Sequence, residues 1–305
     1  MSRRGWVLFG LMALLWGIPY LLIKIADGGV SVWVLVFART SIGALALLPF
    51  AVRRGQLAIL RRHWLPLLGF AASEILLPWF LLPDAEHRLP SSLTGMLIAA
   101  VPIVGAIIGQ FGSNPERLGP LRWTGLLVGF GGVALLAGPD LGKGGGETFA
   151  VVEVLITAIL YAIAPRIVAS KLADVPGPLM TSASLGFAAL LYAPAAVATW
   201  PSPAPAPRVL LALVALGLIC TALGFIVFFT LVRAEGPGRA MVFTYFNPPV
   251  AVLAGALVLN ETITPLTIVA FVLILGGSVL ATLRNRRPPG QSTAVQPTVL
   301  NAIDT

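Results

Sequence analysis

The chain has 305 residues, of which 57% are hydrophobic and only 10% are charged, with a formal net charge of +8. Soluble domains carry about 25% charged residues and have no place to hide this much apolar surface, so the composition excludes an ordinary water-soluble fold and calls for a bilayer as solvent. The placement of the basic residues argues against nucleic acid as a partner: they form short clusters between apolar runs, not one solvated face.

A helix needs about 20 mostly apolar residues to cross the hydrocarbon core. In chain order, segments of that kind run over 6–26, 32–52, 64–82, 91–111, 121–138, 149–169, 179–199, 208–232, 240–259 and 266–283. The first follows Ser2-Arg3-Arg4 and is too long for a signal-peptide core, so it is read as a retained helix. Turn formers mark the connections: Asp27-Gly28-Gly29, Pro139-Asp140, Gly144-Gly145-Gly146 and the stiff run Pro201–Pro207. The polar, Pro-rich stretch 286–305 is expected to be a disordered cytoplasmic tail. Fifteen Lys and Arg residues fall on the side of the N-terminus and three, Arg88, Lys143 and Arg208, on the other; Lys24 and Arg39 lie within spans. By the positive-inside rule both termini are expected in the cytoplasm.

The two halves resemble each other at an offset of about 145 residues. Glu116-Arg117-Leu118-Gly119-Pro120-Leu121 aligns with Glu261-Thr262-Ile263-Thr264-Pro265-Leu266, and Gly131-Gly132 with Gly276-Gly277. Allowing one inserted residue, Pro102 meets Pro248; Trp16 meets Tyr161. Each half then holds five helices, and an odd number inverts the second half relative to the first. The expected fold is all-α: ten transmembrane helices as two inverted five-helix repeats, 1–140 and 147–285, a common plan for secondary transporters.

These features resemble the drug/metabolite transporter superfamily, EamA-like family, over nearly all of 5–285. The run from Gly236-Pro237 through Tyr245-Phe246-Asn247-Pro248-Pro249, Leu259-Asn260-Glu261 and Gly276-Gly277 carries most of the likeness. Ala100-Val101-Pro102, Leu15-Trp16-Gly17 and Phe37-Ala38-Arg39 extend it into the first half. Ser113-Asn114-Pro115-Glu116 departs from the family pattern at that acid. The resemblance implies movement of metabolites, amino acids or drugs across a membrane.

Charges inside spans are the sharpest pointers, since each costs about 2.5–3.5 kcal/mol at the bilayer centre on insertion scales. Glu74 lies midway along the third span and Arg39 a third of the way along the second, at similar depth, so an ion pair between them is possible. Lys24 is expected to snorkel and pair with Asp27, and Glu153 to sit at the interface. Glu116 and Glu261 stand at matching helix starts, where a carboxylate suits the helix dipole. Trp16, Tyr20 and Tyr161 fall near mid-membrane, where an aromatic with a polar tip needs a partner and a cavity lining supplies one. Trp64 and Trp123 begin spans and suit an interfacial belt. Asn247-Pro248-Pro249 interrupts the ninth span and Pro102 the fourth, which offers hinges and free backbone groups. The expected substrate pathway is therefore Trp16, Tyr20, Arg39, Glu74, Tyr161, Tyr245 and Asn247, with hinges at Pro102, Pro248 and Pro249.

Zinc-protease chemistry lacks its His-Glu-x-x-His pattern, and no Gly-x-Ser-x-Gly elbow occurs, so no catalytic residue, metal or cofactor is expected. The lone Cys220 forms no internal disulfide. The expectation is a secondary transporter in the cytoplasmic (inner) membrane, working as an exporter of small metabolites, amino acids or drug-like molecules. A channel or a non-transporting membrane scaffold is the alternative. The expected partners are a small-molecule substrate, the lipid bilayer, protons and a second copy of the chain in a homodimer, with no nucleic acid.

Overall fold

The computed structural model describes residues 2–51, 57–111, 119–141, 145–236 and 241–282. Among them every regular element is helical. The main helices are α1 (Arg3–Asp27), α2 (Val32–Ala51), α3 (Trp64–Glu86), α4 (Ser91–Phe111), α5 (Pro120–Leu141), α6 (Gly145–Lys171), α7 (Gly177–Ala198), α8 (Pro207–Glu235), α9 (Asn247–Leu259) and α10 (Pro265–Thr282). A short helix, Leu57–Arg62, precedes α3, and a 3-10 turn, Met241–Tyr245, precedes α9. Seven segments are long and apolar enough to cross a bilayer unaided; Pro120–Leu136, Phe243–Leu259 and Pro265–Ala281 are apolar but shorter. The expected tail 286–305 and Glu116 lie outside the described residues.

Local sequence explains the breaks and stops. Proline cannot donate to the preceding turn, and α1 is interrupted at Ile18 before Pro19, α4 at Ala99 and Ala100 before Pro102. Pro248 and Pro249 sit in the first turn of α9, where the missing donors are harmless. Asn260 closes α9 in the left-handed region. Leu45, Leu190 and Leu257 leave their helices exposed, as lipid-facing residues do. Trp6, Trp64, Trp123 and Trp200 are exposed near helix ends, where an indole sits well at headgroup level.

Packing repeats itself when the halves are exchanged. α1 packs on α8 and, equivalently, α6 on α3; α2, α4 and α5 each pack on their own mates α7, α9 and α10. The mates are antiparallel. Along α5 and α10, Gly125 faces Ala281, Gly129 faces Gly277 and Gly132 faces Ile274, so the backbones meet through glycine. Ser31 at the start of α2 bonds Thr199 beyond the end of α7 (2.7 Å), and Gly95 near the start of α4 meets Ala251 in α9. Antiparallel mates are what an inverted duplication produces.

Helix ends gather on two faces. On the N-terminal face, Ser2 bonds Glu235 (2.9 Å from N, 2.8 Å from Oγ), His63 meets Asp174 at 3.4 Å, and Arg122 donates to the carbonyl of Ala281 (2.8 Å). On the opposite face, α1, α3, α4 and the α9–α10 connection converge. α3 reaches Glu86, four residues beyond the expected end at 82. Asp84 and Glu86 end the apolar run, but partners at that face let the helix continue.

Candidate functional site

Arg39 of α2 is buried. Its guanidinium lies over the Trp79 ring of α3, 3.6 Å from the centroid, and its Nε donates to Thr221 Oγ1 of α8 at 3.2 Å. A desolvated cation–π contact is worth about 2 kcal/mol and a hydrogen bond from a charged group about 1.5–3 kcal/mol. Neither neutralises the charge. Among the described residues no carboxylate comes within 4.0 Å of it. Tyr161 of α6, Cys220 of α8, Tyr20 of α1 and, beyond ion-pair distance, Glu86 of α3 lie within electrostatic range.

The wall opposite is made by wide turns. Ala72–Leu76 in α3 and Ala215–Leu223 in α8 are π-helical, and these two helices are repeat mates. A π turn holds an extra residue and leaves a carbonyl short of its usual donor. In each turn a carbonyl accepts from an aromatic side chain of another helix. Trp16 Nε1 donates to the carbonyl of Cys220 (3.2 Å), and the Tyr192 hydroxyl of α7 donates to the carbonyl of Leu76 (2.6 Å). Trp16 also stacks on Phe228 and meets Phe225 and Phe243 edge-on.

Glu74 sits inside the α3 π turn, half-buried and without a hydrogen bond among the described residues. Tyr161 is within electrostatic range of Glu74, Tyr20 and Arg39, and within hydrogen-bonding reach of Trp79. The structure thus gathers Tyr20, Arg39, Glu74 and Tyr161 around one centre, with Trp16 beside it. The possible Glu74–Arg39 ion pair is not formed. An extra residue re-phases a helix by about 100°, so equal depth does not bring the two side chains to one face.

The hinge residues meet elsewhere. The Tyr245 hydroxyl donates to the carbonyl of Ser278 in α10 (3.4 Å), and Ser278 Oγ donates to the carbonyl of Ala99 (2.8 Å) at the break before Pro102. Both interrupted helices therefore rest on one residue of α10. Asn247 keeps a buried Oδ1 without a hydrogen-bond partner among the described residues at the start of α9.

The face opposite the N-terminus is sealed. The Lys24 ammonium donates to the carbonyls of Glu86 and of Leu89 (3.2 Å for the latter), capping α3. It does not pair with Asp27, which meets His87 instead. Glu261 accepts from Ser91 N (2.9 Å), Ser91 Oγ (2.8 Å) and Ser92 N (2.9 Å), so it caps α4, not its own helix α10. Burial pushes the Glu261 carboxyl up, but the bonds from Ser92 and Ser91 outweigh it and hold it below the usual range. Glu153 is buried against Arg88 (2.6 Å), which also meets Asp84. Ser91–Leu97 are all buried, while most of Val101–Ile108, nearer the N-terminal face, is only half-buried.

Trp79, Thr221 and Tyr192 escaped the sequence reading, as did Glu86, which is fully buried. A signal for Glu86 existed: Ile75, Trp79, Leu82 and Glu86 form one helical stripe, and the first three are buried too.

A buried cation, aromatic rings and interrupted helices between two inverted halves describe a membrane transport protein. The chain belongs to the EamA-like transporter family, whose model matches residues 3–138 and again 148–283. It is 28% identical to the uncharacterized inner membrane transporter YedA of Escherichia coli, over 88% of each chain. It is 23% identical to the uncharacterized transporter YvbV of Bacillus subtilis, over 96% of this chain and 95% of that one. It is also 25% identical to a probable terminal-alkyne amino-acid exporter of Streptantibioticus cattleyicolor, over 95% and 96%. One crystal structure superimposes with a TM-score of 0.66 at 23% identity, covering 92% of this chain and 98% of that one.

Proposed function

We propose that the protein is a secondary transporter of the cytoplasmic membrane that exports small metabolites, amino acids or drug-like molecules by alternating access. In this reading it crosses the membrane ten times, as repeats 1–140 and 147–285, with both termini in the cytoplasm. Antiparallel repeat mates and the lopsided basic residues support that topology.

The observation that carries the reading is Arg39, a buried guanidinium on an aromatic ring with no carboxylate partner among the described residues. Such a cation is best satisfied by an anionic ligand group. A carboxylate-bearing substrate fits, and Glu74 and Tyr161 offer an acceptor and a donor for its other end. The relative named as an amino-acid exporter fits the same class. Protons are the proposed coupling ion, with Glu74 as a carboxyl that changes protonation as the chamber switches faces.

The test is flux of radiolabelled amino acids into proteoliposomes holding the purified protein. Saturable, pH-gradient-driven flux supports the reading; linear flux that never saturates means a channel. Arg39→Gln is expected to lower kcat/KM about hundredfold and Arg39→Lys about tenfold, as loss of charge-assisted contacts would. Undiminished flux in Arg39→Gln removes Arg39 from recognition. For orientation, a cysteine at Gly145 should react with an impermeant maleimide in intact cells, while one at Gly55 should need permeabilisation; the reverse overturns it.

A further inference from the structure

α3 ends in a buried acid that the central site does not use. Glu86 is fully buried and, among the described residues, neither of its carboxyl oxygens has a hydrogen-bond partner. Among the described residues no cation lies within 4.0 Å of it. The groups that face it are Tyr20, Lys24 and Asp27 from α1, Arg39 from α2 and Glu261 from the α9–α10 connection. His87, next in the chain, is paired with Asp27. Asp84, Arg88 and Glu153 bond one another instead.

A bare carboxylate in such a place is among the least favourable arrangements a protein can adopt, and a proton on it removes the charge. Packing does not demand an acid there. The register that pairs Pro102 with Pro248 sets apolar Val232 of the mate helix α8 at that place, next to the fully buried Leu231. Beside Glu86, the Lys24 ammonium holds the carbonyls of Glu86 and Leu89 and so ties α1 to the end of α3. Two neutral carbonyls satisfy that cation less strongly than a carboxylate would.

We propose that Glu86 is a proton-binding site of the gate on this face: protonated while the gate is shut, and on losing its proton drawing Lys24 off the two carbonyls and freeing the end of α3. The bond broken is the Glu86 O–H, and water in the chamber accepts the proton. A proton arriving from the sealed face shuts that gate, and its release toward the other face allows the gate to reopen. That direction rests on the topology proposed above; the site itself does not.

Two readouts on purified protein test it without any substrate. Infrared difference spectra against pH should show a protonated-carboxyl band that Glu86→Gln diminishes, while Glu74→Gln leaves the Glu86 component in place. Hydrogen–deuterium exchange of residues 84–97, compared with Glu86→Gln at each pH to cancel intrinsic chemistry, should rise with pH. Opening tied to one proton rises about tenfold per pH unit between the closed-state and open-state midpoints. Lys24→Met removes the rival cation, so its carboxyl band should persist to higher pH, and it serves if Glu86→Gln fails to fold. A band unchanged in Glu86→Gln, or a midpoint unmoved in Lys24→Met, overturns the proposal even if amino-acid flux is confirmed.

Discussion

α3 and α8 are repeat mates built on the same backbone device and equipped with different chemistry. Each bends through a π turn, at Ala72–Leu76 and Ala215–Leu223, and each has a carbonyl there held by an aromatic donor from another helix. Yet α3 carries Glu74, Trp79 and Glu86, while α8 has Cys220, Phe225 and Val232 in the register that pairs Pro102 with Pro248. At Gly224 an added Cβ would lie 2.6 Å from Trp16 Nε1, so the indole of α1 packs directly on the end of the α8 π turn. The shared backbone gives a scaffold with two related ways to pack; the unshared side chains give it something to bind and something to titrate.

The sharpest way to break the comparison is to make α3 chemically like α8. Glu74→Gln keeps the shape of the side chain and removes its charge. It is expected to fold normally, with an unchanged melting temperature, and to lose most of the pH dependence of transport, keeping only the part that Glu86 supplies. Unchanged pH-dependent flux would leave Glu74 as part of the scaffold, and the asymmetry of the π turns would then have no role in coupling.

A smaller effect probes α8. Gly224→Ala sets a methyl against an indole already bonded to the carbonyl of Cys220. Overpacking of this kind costs about 1–3 kcal/mol, read as a lower melting temperature in detergent. Gly186→Ala is the control, because nothing lies within 4 Å of its added Cβ. Equal losses in the two variants would mean that Trp16 moves freely and does not hold the π turn.

Much of this was legible in the sequence. Apolar runs, turn formers and the alternating basic residues place the helices, and the offset near 145 residues anticipates mates that pack antiparallel. Arg39, Glu74, Tyr20 and Tyr161 stand out because a polar group at mid-membrane needs a reason. The π turns were not legible, since a wide turn is chosen by packing between helices and leaves no spacing of its own. For the same cause the sequence leaves the Arg39–Glu74 pair open: depth follows from counting residues, but the face depends on the extra residue in the turn. Arg39 over Trp79 joins helices through tertiary packing that no local pattern encodes. Glu86 was missed because Pro83 and Asp84 look like the end of a span, and Lys24 bonded to carbonyls is an arrangement set only by the folded ends of α1 and α3.

The sealed face gives a pH prediction with a definite sign. The Glu261 carboxyl is held below its usual range by Ser91 and Ser92. A depressed carboxylate contributes stability above its unfolded pKa, and that contribution is lost as pH falls through the lower, folded value. In Glu86→Gln, which removes the opening linked to that acid, hydrogen exchange at the start of α4 corrected for intrinsic chemistry should therefore stay flat at neutral pH and increase only below the ordinary carboxylate range. Glu261→Gln should bring the same loosening at neutral pH, by about 1 kcal/mol as for loss of a helix cap. If that exchange instead rose between neutral and mildly acid pH in Glu86→Gln, the cap would not be what closes α4.

The smallest effect separates the two carbonyl clamps. Tyr192→Phe removes the hydroxyl that meets the carbonyl of Leu76 and changes almost nothing else, since the ring still lies beside Trp33 and Phe80. Hydrogen bonds measured inside membrane proteins average about 0.6 kcal/mol, so the fall in melting temperature should be slight. The informative readout is not stability but the pH profile of transport. If the clamp fixes the phase of the α3 π turn, its loss lets Glu74 re-aim, and the midpoint of the profile should shift while the maximal rate is kept. A profile that overlays the native one would show that packing alone sets the turn, and that the donor merely satisfies a carbonyl the turn had already freed.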